Sequence, residues 1–498
     1  PGNNSGDFLF LSPLLHKLYR ISRTLYKTIR NGRTNGMTTM YYDIHNHLFN
    51  KNFLARELLY RLMKEMRNQL GFRERLNRGE SDQLRGLKGM IRKLRRYSHA
   101  MSVFCRKNSA AIFDELDKTY KGEFILTPLT FDLTWCFAPT ADREAALLPG
   151  EATARDFRRE ADRFFGSVES GNRLLTPGEL PESEEGALWR GKYLREKERF
   201  LENAGKLLDA DRQLSRVPGA FRGWEEQIRQ LAAMKEDPRY RERVFPFLAV
   251  DPRRPGIYDY ALAHVGRGKL FAGIKLYCPN GYSPTDPLLY GPKEERGGIY
   301  AFCEDHGIPV TTHNSLGGFA TFAKSVVITG DIWKDGKLRY LDQESVRFRD
   351  SFLGSEGVHE RAMTLNHPLL WQKVVAKYPR LRLNLAHFGG GTELGNALAH
   401  PGDPSLWSNR IIALLQDPRY PVYTALSCFT EFRVLRKLIT HPVYSGIRHR
   451  ILFGSDYTLL LLFEDNFNGN IRKFRTLFGE EFRVIAGDNP REFLKHVV

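Results

Sequence analysis

The sequence predicts an α/β fold, a (β/α)8 TIM barrel with two long, mainly helical insertions in its N-terminal half, and three observations carry that prediction. From residue 244 onward, β-rich runs alternate with amphipathic helical segments across Gly/Pro or polar loops. Eight strand starts are present, at Met40, Phe124, Val244, Leu270, Ile308, Leu381, Val422 and Arg450, and eight is the barrel number. Finally, five strand-like runs end on chemically capable side chains: Asp43-Ile44-His45-Asn46-His47, Lys275, His313, His387 and Asp456. Residues this far apart in sequence meet only where a fold gathers its strand ends at one face, as a parallel barrel does.

Each element has its own signal. Met40–Ile44 and Phe124–Pro128 read as the first two strands, with a basic, helix-prone insertion from about Leu54 to Tyr120 between them. A second charged insertion runs from about Ala141 to Tyr240, ahead of the strand Val244–Val250. The strand Leu270–Tyr277 follows, then a helix over Lys293–His306 and the strand Ile308–His313. Asp335-Gly336 between strand-like arms predicts a β-hairpin over Ile328–Tyr340, placed to wall the site. Helices over Pro368–Tyr378, Trp407–Gln416 and Phe432–Thr440 alternate with strands over Leu381–Ala386, Val422–Ser427 and Arg450–Ser455. The domain reading is thus a basic helical extension over 1–39 and a barrel over 40–498, with insertions at about 54–120 and 141–240.

Composition narrows the function classes. With 42% hydrophobic and 12% aromatic residues in 498, the chain has ample material for a core, which excludes global disorder. No apolar run approaches the roughly 20 residues that cross a bilayer. Basic residues follow the apolar stretch Phe8–Leu15 instead of preceding it, the reverse of a secretory signal. Five scattered cysteines without CxxC spacing point to reduced thiols, a cytoplasmic setting and no thiolate zinc site. The formal charge of +17 is concentrated at the N-terminus and around Arg92–Arg96. It reads as solvated helix faces and a field favourable to an anionic small-molecule substrate, with no specific nucleic-acid module. The stretch Leu14, Leu18, Leu25 and Ile29 leaves a homo-oligomer contact open, alongside packing on the chain's own barrel.

The strand-end residues point to a metal centre. Side chains two apart on a strand face the same way, so His45 and His47 can hold one cation together. Imidazole nitrogens with one carboxylate, His45, His47, His313 and Asp456, make a ligand set for a divalent ion, zinc first among those this chemistry suits. Such an ion makes hydroxide available near neutral pH. Asp456 or His387 then serves as the base, or His387 as a hydrogen-bond donor to the substrate. Lys275 has three readings: neutral, carboxylated and bridging two ions, or aimed at an anionic group of the substrate. The number of ions, one or two, depends on which holds. Of the 14 histidines, His306, His367 and His441 read as surface or helix-cap residues.

The segments Tyr42-Asp43-Ile44-His45-Asn46-His47, Phe247-Leu248-Ala249-Val250-Asp251-Pro252, Gly273-Ile274-Lys275-Leu276-Tyr277, Leu383-Asn384-Leu385-Ala386-His387-Phe388-Gly389-Gly390 and Leu452-Phe453-Gly454-Ser455-Asp456-Tyr457 resemble the amidohydrolase superfamily. Within it they are similar to the amidohydrolase-2 type of metal-dependent TIM-barrel hydrolases, related to aminocarboxymuconate-semialdehyde decarboxylase. The resemblance implies that His45, His47, His313 and Asp456 bind the metal and that His387 activates water or polarises the substrate. The expected activity is cleavage of a C–N or C–O bond in an amide, lactone or ester by a metal-activated water. The alternative is non-oxidative decarboxylation of an aromatic or unsaturated acid, and a third reading is an inactive barrel that binds a partner.

Overall fold

The computed structural model describes residues 40–53, 80–137, 152–176, 183–214, 223–291, 297–349 and 356–498. The predicted N-terminal extension lies outside the described residues, as do parts of both predicted insertions. The structure is an α/β barrel fold whose parallel strands follow one another in chain order. Strand β1 (Tyr41–Asn46) pairs with β2 (Phe124–Pro128). Isolated bridges, Leu126 to Val244 and Leu129 to Phe247, carry β2 over to β3 (Phe247–Ala249). From there β4 (Gly273–Leu276), β5 (Val310–Ser315), β8 (Leu383–Gly389), β9 (Val422–Leu426) and β10 (Ile451–Phe453) form one parallel sheet with β3. The turn after β10 returns to β1: Asp456 N–H donates to the His45 carbonyl at 2.7 Å, and His47 N–H donates to the Tyr457 carbonyl.

Burial explains these strands. In β4, β8, β9 and β10 every residue is buried, so both faces of each strand are covered and the polar members Lys275, Asn384, His387 and Thr424 are buried with the apolar ones. Several strands are shorter than the sequence suggests. Pro246 has no N–H to give a ladder, and the run expected from Val244 becomes a bridge at Val244 followed by three residues of β3.

Helices cover the outside. Between β1 and β2 stand α1 (Glu80–Phe104) and α2 (Ser109–Tyr120); between β2 and β3 stand α3 (Ala152–Ser170), α4 (Glu184–Leu214) and α5 (Gly223–Glu236). Asn108 caps α2 by accepting from Ala111 N–H at 3.0 Å, and Ile112, Phe113, Leu116 and Tyr120 form its buried stripe. Asn203 of α4 donates to the Ser98 carbonyl of α1 at 3.1 Å, tying the two long helices together. Among the later helices, the one expected over Lys293–His306 spans Gly298–His306, while Pro368–Lys377, Trp407–Gln416 and Phe432–Thr440 fall where the sequence places them. His367 caps the helix Pro368–Lys377, accepting from Leu369 N–H at 3.2 Å, with Pro368 at the first helical position. None of the described helices is long and apolar enough to cross a membrane.

The hairpin is longer than its signal: β6 (Ser325–Lys334) pairs antiparallel with β7 (Lys337–Arg347). Asp335 and Gly336 both have positive φ, 52° and 76°, as a type I′ turn requires. It does not wall the cavity, contrary to the sequence reading. Asp331 anchors it elsewhere, accepting from Thr285 Oγ1 at 2.8 Å and from Lys373 Nζ at 2.7 Å. The cavity wall on that side comes from the β5–β6 connection, through Ser315, Gly318 and Phe319.

Candidate metal centre

All six chemically capable strand-end residues, His45, His47, Lys275, His313, His387 and Asp456, line one cavity of about 230 Å3. Strand alternation sends His45 inward, and His47 follows just past the end of β1. His387 and Asp456 reach the cavity from left-handed backbone, φ 72° and 57°, and Cys428 beside them has φ 61°. Each such residue costs on the order of 1–3 kcal/mol, and these persist because the surroundings hold them.

His45, His47 and Asp456 form a compact set whose ligand atoms lie within 4.8 Å of one another. The Nε2 atoms of His45 and His47 stand 3.5 and 3.4 Å from Asp456 Oδ1. His47 Nδ1 lies 2.9 Å from the Leu129 carbonyl. A carbonyl oxygen only accepts, so Nδ1 carries a ring hydrogen, and in the neutral tautomer that this fixes, Nε2 is the lone-pair atom. Burial works to raise the Asp456 carboxyl, but His47 and His387 outweigh it and hold it below the usual carboxylate range. A carboxylate oxygen without a hydrogen-bond partner thus faces an imidazole lone pair inside the protein. Something positive belongs between them, and a divalent cation fits the donor set.

The other histidines are kept neutral. Burial, then the charge of Lys275, pushes His45 well below the ordinary histidine range. Burial, then His387, does the same for His313. His313 is turned so that Nε2 sits 2.8 Å from the Gly317 carbonyl, and it lies outside the compact three-residue set. Its ring stacks on Tyr277 and stands 4.5 Å from that of His387, centroid to centroid.

His387 is lowered to about 4, chiefly by burial. Its Nδ1 lies 3.0 Å from Ser427 Oγ and 3.2 Å from the Ser427 carbonyl. Lys275 is buried, and desolvation lowers it to about 7 against the opposing attraction of Asp456. Its side chain lines the same cavity as the four histidines and Asp456.

Sequence reasoning missed much of the cavity wall. Phe49, Phe53, Phe131, Phe319, Phe429 and Leu462 supply an apolar lining, while Gln227 reaches in from α5. Phe49 stacks on His47, ring centroids 4.5 Å apart. Spacing carries no signal for these residues, because they come from several segments far apart in sequence. Ser427 also had none, being one serine at the end of one strand. Asp43 did have a signal: it sits two residues before His45, on the same face of β1.

Among curated proteins none matches the chain. Several solved structures align with parts of it. The 5-carboxyvanillate decarboxylase LigW from Sphingomonas paucimobilis is 14% identical over 58% of this chain and 74% of its own, with a TM-score of 0.30. A structure described as amidohydrolase II is 14% identical over 56% and 80%, at 0.32, and the IDCase from Metarhizium anisopliae is 16% identical over 53% and 68%, at 0.31. The family model described as Amidohydrolase (Amidohydro_2) matches residues 180–495, well over half the chain. That match places this chain in the amidohydrolase family, of the amidohydrolase-2 type.

Proposed function

We propose that this protein is a metal-dependent hydrolase that cleaves a C–N or C–O bond, in an amide, lactone or ester, of a small substrate with an apolar body. The supporting observation is the carboxylate oxygen of Asp456 facing the His47 lone pair across 3.4 Å. In this reading His45, His47 and Asp456 hold the ion, joined by His313, whose Nδ1 is left over once Nε2 serves Gly317. A bound zinc ion would supply Lewis acidity and make hydroxide available near neutral pH. The count is one ion, since only one compact set exists among the described residues.

His387 serves as the base. The Ser427 carbonyl requires a hydrogen on Nδ1, which leaves the Nε2 lone pair to take a proton from the attacking water and deliver it to the leaving group. Its low proton affinity keeps that lone pair free at neutral pH. The aromatic wall excludes water around the scissile bond, and Lys275 holds an anionic group of the substrate when protonated.

The test is turnover of aromatic amides and lactones in 18O-water by the zinc-loaded protein. Label appearing in the product carboxylate supports the reading; undiminished turnover by a chelator-stripped preparation, or by His45→Ala, refutes it.

A second reading has one specific observation in its favour. The apolar wall around Lys275 would strip water from a substrate carboxylate held there, which favours loss of carbon dioxide from an aromatic acid. Carbon dioxide released without 18O in the remaining product selects decarboxylation over hydrolysis.

A further inference from the structure

We infer that Asp43 is the positioning residue of the metal centre, a role that rests on the metal-dependent reading above. Its carboxylate is fully buried and accepts from four donors. Oδ1 takes the backbone N–H groups of Ser455, at 2.9 Å, and His45, at 3.3 Å. Oδ2 takes the hydroxyls of Ser455, at 2.6 Å, and Tyr120, at 2.8 Å. Ser455 immediately precedes Asp456, and Asp43 lies two residues before His45. One carboxylate therefore grips both ligand-bearing segments, 412 positions apart in sequence.

The grip matters because Asp456 sits in left-handed backbone, which does not hold itself. Ser455 Oγ, fixed by Asp43, accepts in turn from Tyr457 N–H at 3.0 Å, so both sides of Asp456 are pinned through the same hydroxyl. The seam is also tight: a Cβ on Gly454 would lie 2.6 Å from His45 Cβ. Asp43 touches neither the cavity nor the ion's ligand atoms; it acts by fixing where Asp456 points relative to His45 and His47. Tyr120, the last residue of α2, is the one donor that belongs to neither ligand segment.

Zinc dissociation constants from chelator competition test this assignment. Asp43→Ala binds zinc at least about tenfold more weakly than wild type, within the usual range for a group that orients ligands, and Asp43→Asn, which keeps an oxygen for the two N–H groups, recovers most of the loss. Tyr120→Phe changes zinc affinity by less than about twofold while lowering the unfolding midpoint. Wild-type affinity in Asp43→Ala overturns the proposal, and so does a Tyr120→Phe loss as large as that of Asp43→Ala, which marks general packing. Should Asp43→Ala fail to fold, Ser455→Ala carries the same expectation, and unchanged zinc affinity in it overturns the proposal. Crystals of metal-free Ser455→Ala and Asp43→Ala separate this proposal from the metal reading itself. Asp456 displaced from His45 and His47 supports positioning, and Asp456 unmoved in both defeats it, even for a wild type that binds no ion.

Discussion

The ring of Tyr277 lies stacked on that of His313, centroids 4.6 Å apart, and Gly318 closes over both. The Tyr277 hydroxyl donates to the Phe319 carbonyl at 3.0 Å and accepts from Phe319 N–H at 2.8 Å, so the β5–β6 loop is fastened to the ring that supports His313. Gly318 has φ 98°, and a Cβ there would stand 2.7 Å from the Tyr277 hydroxyl and 2.8 Å from His313 Cε1. Gly318→Ala is expected to combine backbone strain with overlap at about 2–3 kcal/mol and to reduce turnover by tenfold or more. Thermal unfolding and steady-state kinetics check this, and wild-type kinetics in the variant would mean His313 does not depend on the loop.

Ser427 offers a cleaner perturbation. Ser427→Ala removes the hydroxyl 3.0 Å from His387 Nδ1 but keeps the carbonyl at 3.2 Å. The ring keeps its tautomer and loses part of its orientation. A fall in kcat of about three- to tenfold with little change in KM is expected, from loss of one of two hydrogen bonds to the base. A change in KM alone would place His387 in binding instead.

The buried Lys275 makes stability depend on pH. In the metal-free protein its folded pKa, about 7, lies below the ordinary lysine value of 10.5. Between those values the unfolded chain binds more protons, so stability rises as pH increases from about 7 to 10.5, and the full penalty is present below that window. Lys275→Met is expected to stabilise the metal-free fold at pH 7 by several kcal/mol and to flatten this rise. Denaturant melts at pH 7 and 9 measure both effects; an equally steep rise in the variant would assign the dependence to another group.

The wall should discriminate substrates by apolar surface. Phe131 is buried and meets Tyr277 edge to face, centroids 4.7 Å apart. Phe131→Ala is expected to cost about 3–5 kcal/mol of stability through the cavity it leaves. It should also raise KM for ring-bearing substrates about tenfold relative to small aliphatic ones. Equal KM changes for both classes would show that the ring does not contact the substrate.

On the proposed metal-dependent reading, zinc at about one hundred times its dissociation constant should stabilise the protein by about 2.7 kcal/mol, since the ligand set exists only in the folded state. Calorimetry with and without chelator reads this as a drop in unfolding midpoint. No drop would remove the ion from the folded protein's energetics.

What the sequence made legible follows from how each signal is written. The strands and the residues at their ends are local patterns: an apolar run, then His-x-His, or Gly-Ser-Asp, and the strands lie where expected, several of them shortened. The hairpin turn was equally local, in Asp335-Gly336. Its place was not, since that depends on Asp331 finding Thr285 and Lys373. The Gly389-Gly390-Gly391 run reads either as close backbone approach to a ligand or as a tight turn; Gly389 and Gly390 have φ 82° and 104°, Gly390 and Gly391 line the cavity, and Gly391 starts the helix Gly391–Ala399. His313 shows the same limit: its position at a strand end was readable, but its rotation toward Gly317 comes from the loop that follows.

The seam between Asp43 and Ser455 also sets a schedule. Its partners are separated by nearly the whole described chain, so a ribosome must release almost all of the polypeptide before the two ligand segments can meet. Contacts of such long range form late and slowly. Until they do, His45 and His47 are a pair of histidines on a single strand, with no carboxylate opposite. Any event that cuts or withholds the last forty-odd residues leaves the fold's beginning without its counterpart, whatever remains of the barrel in between.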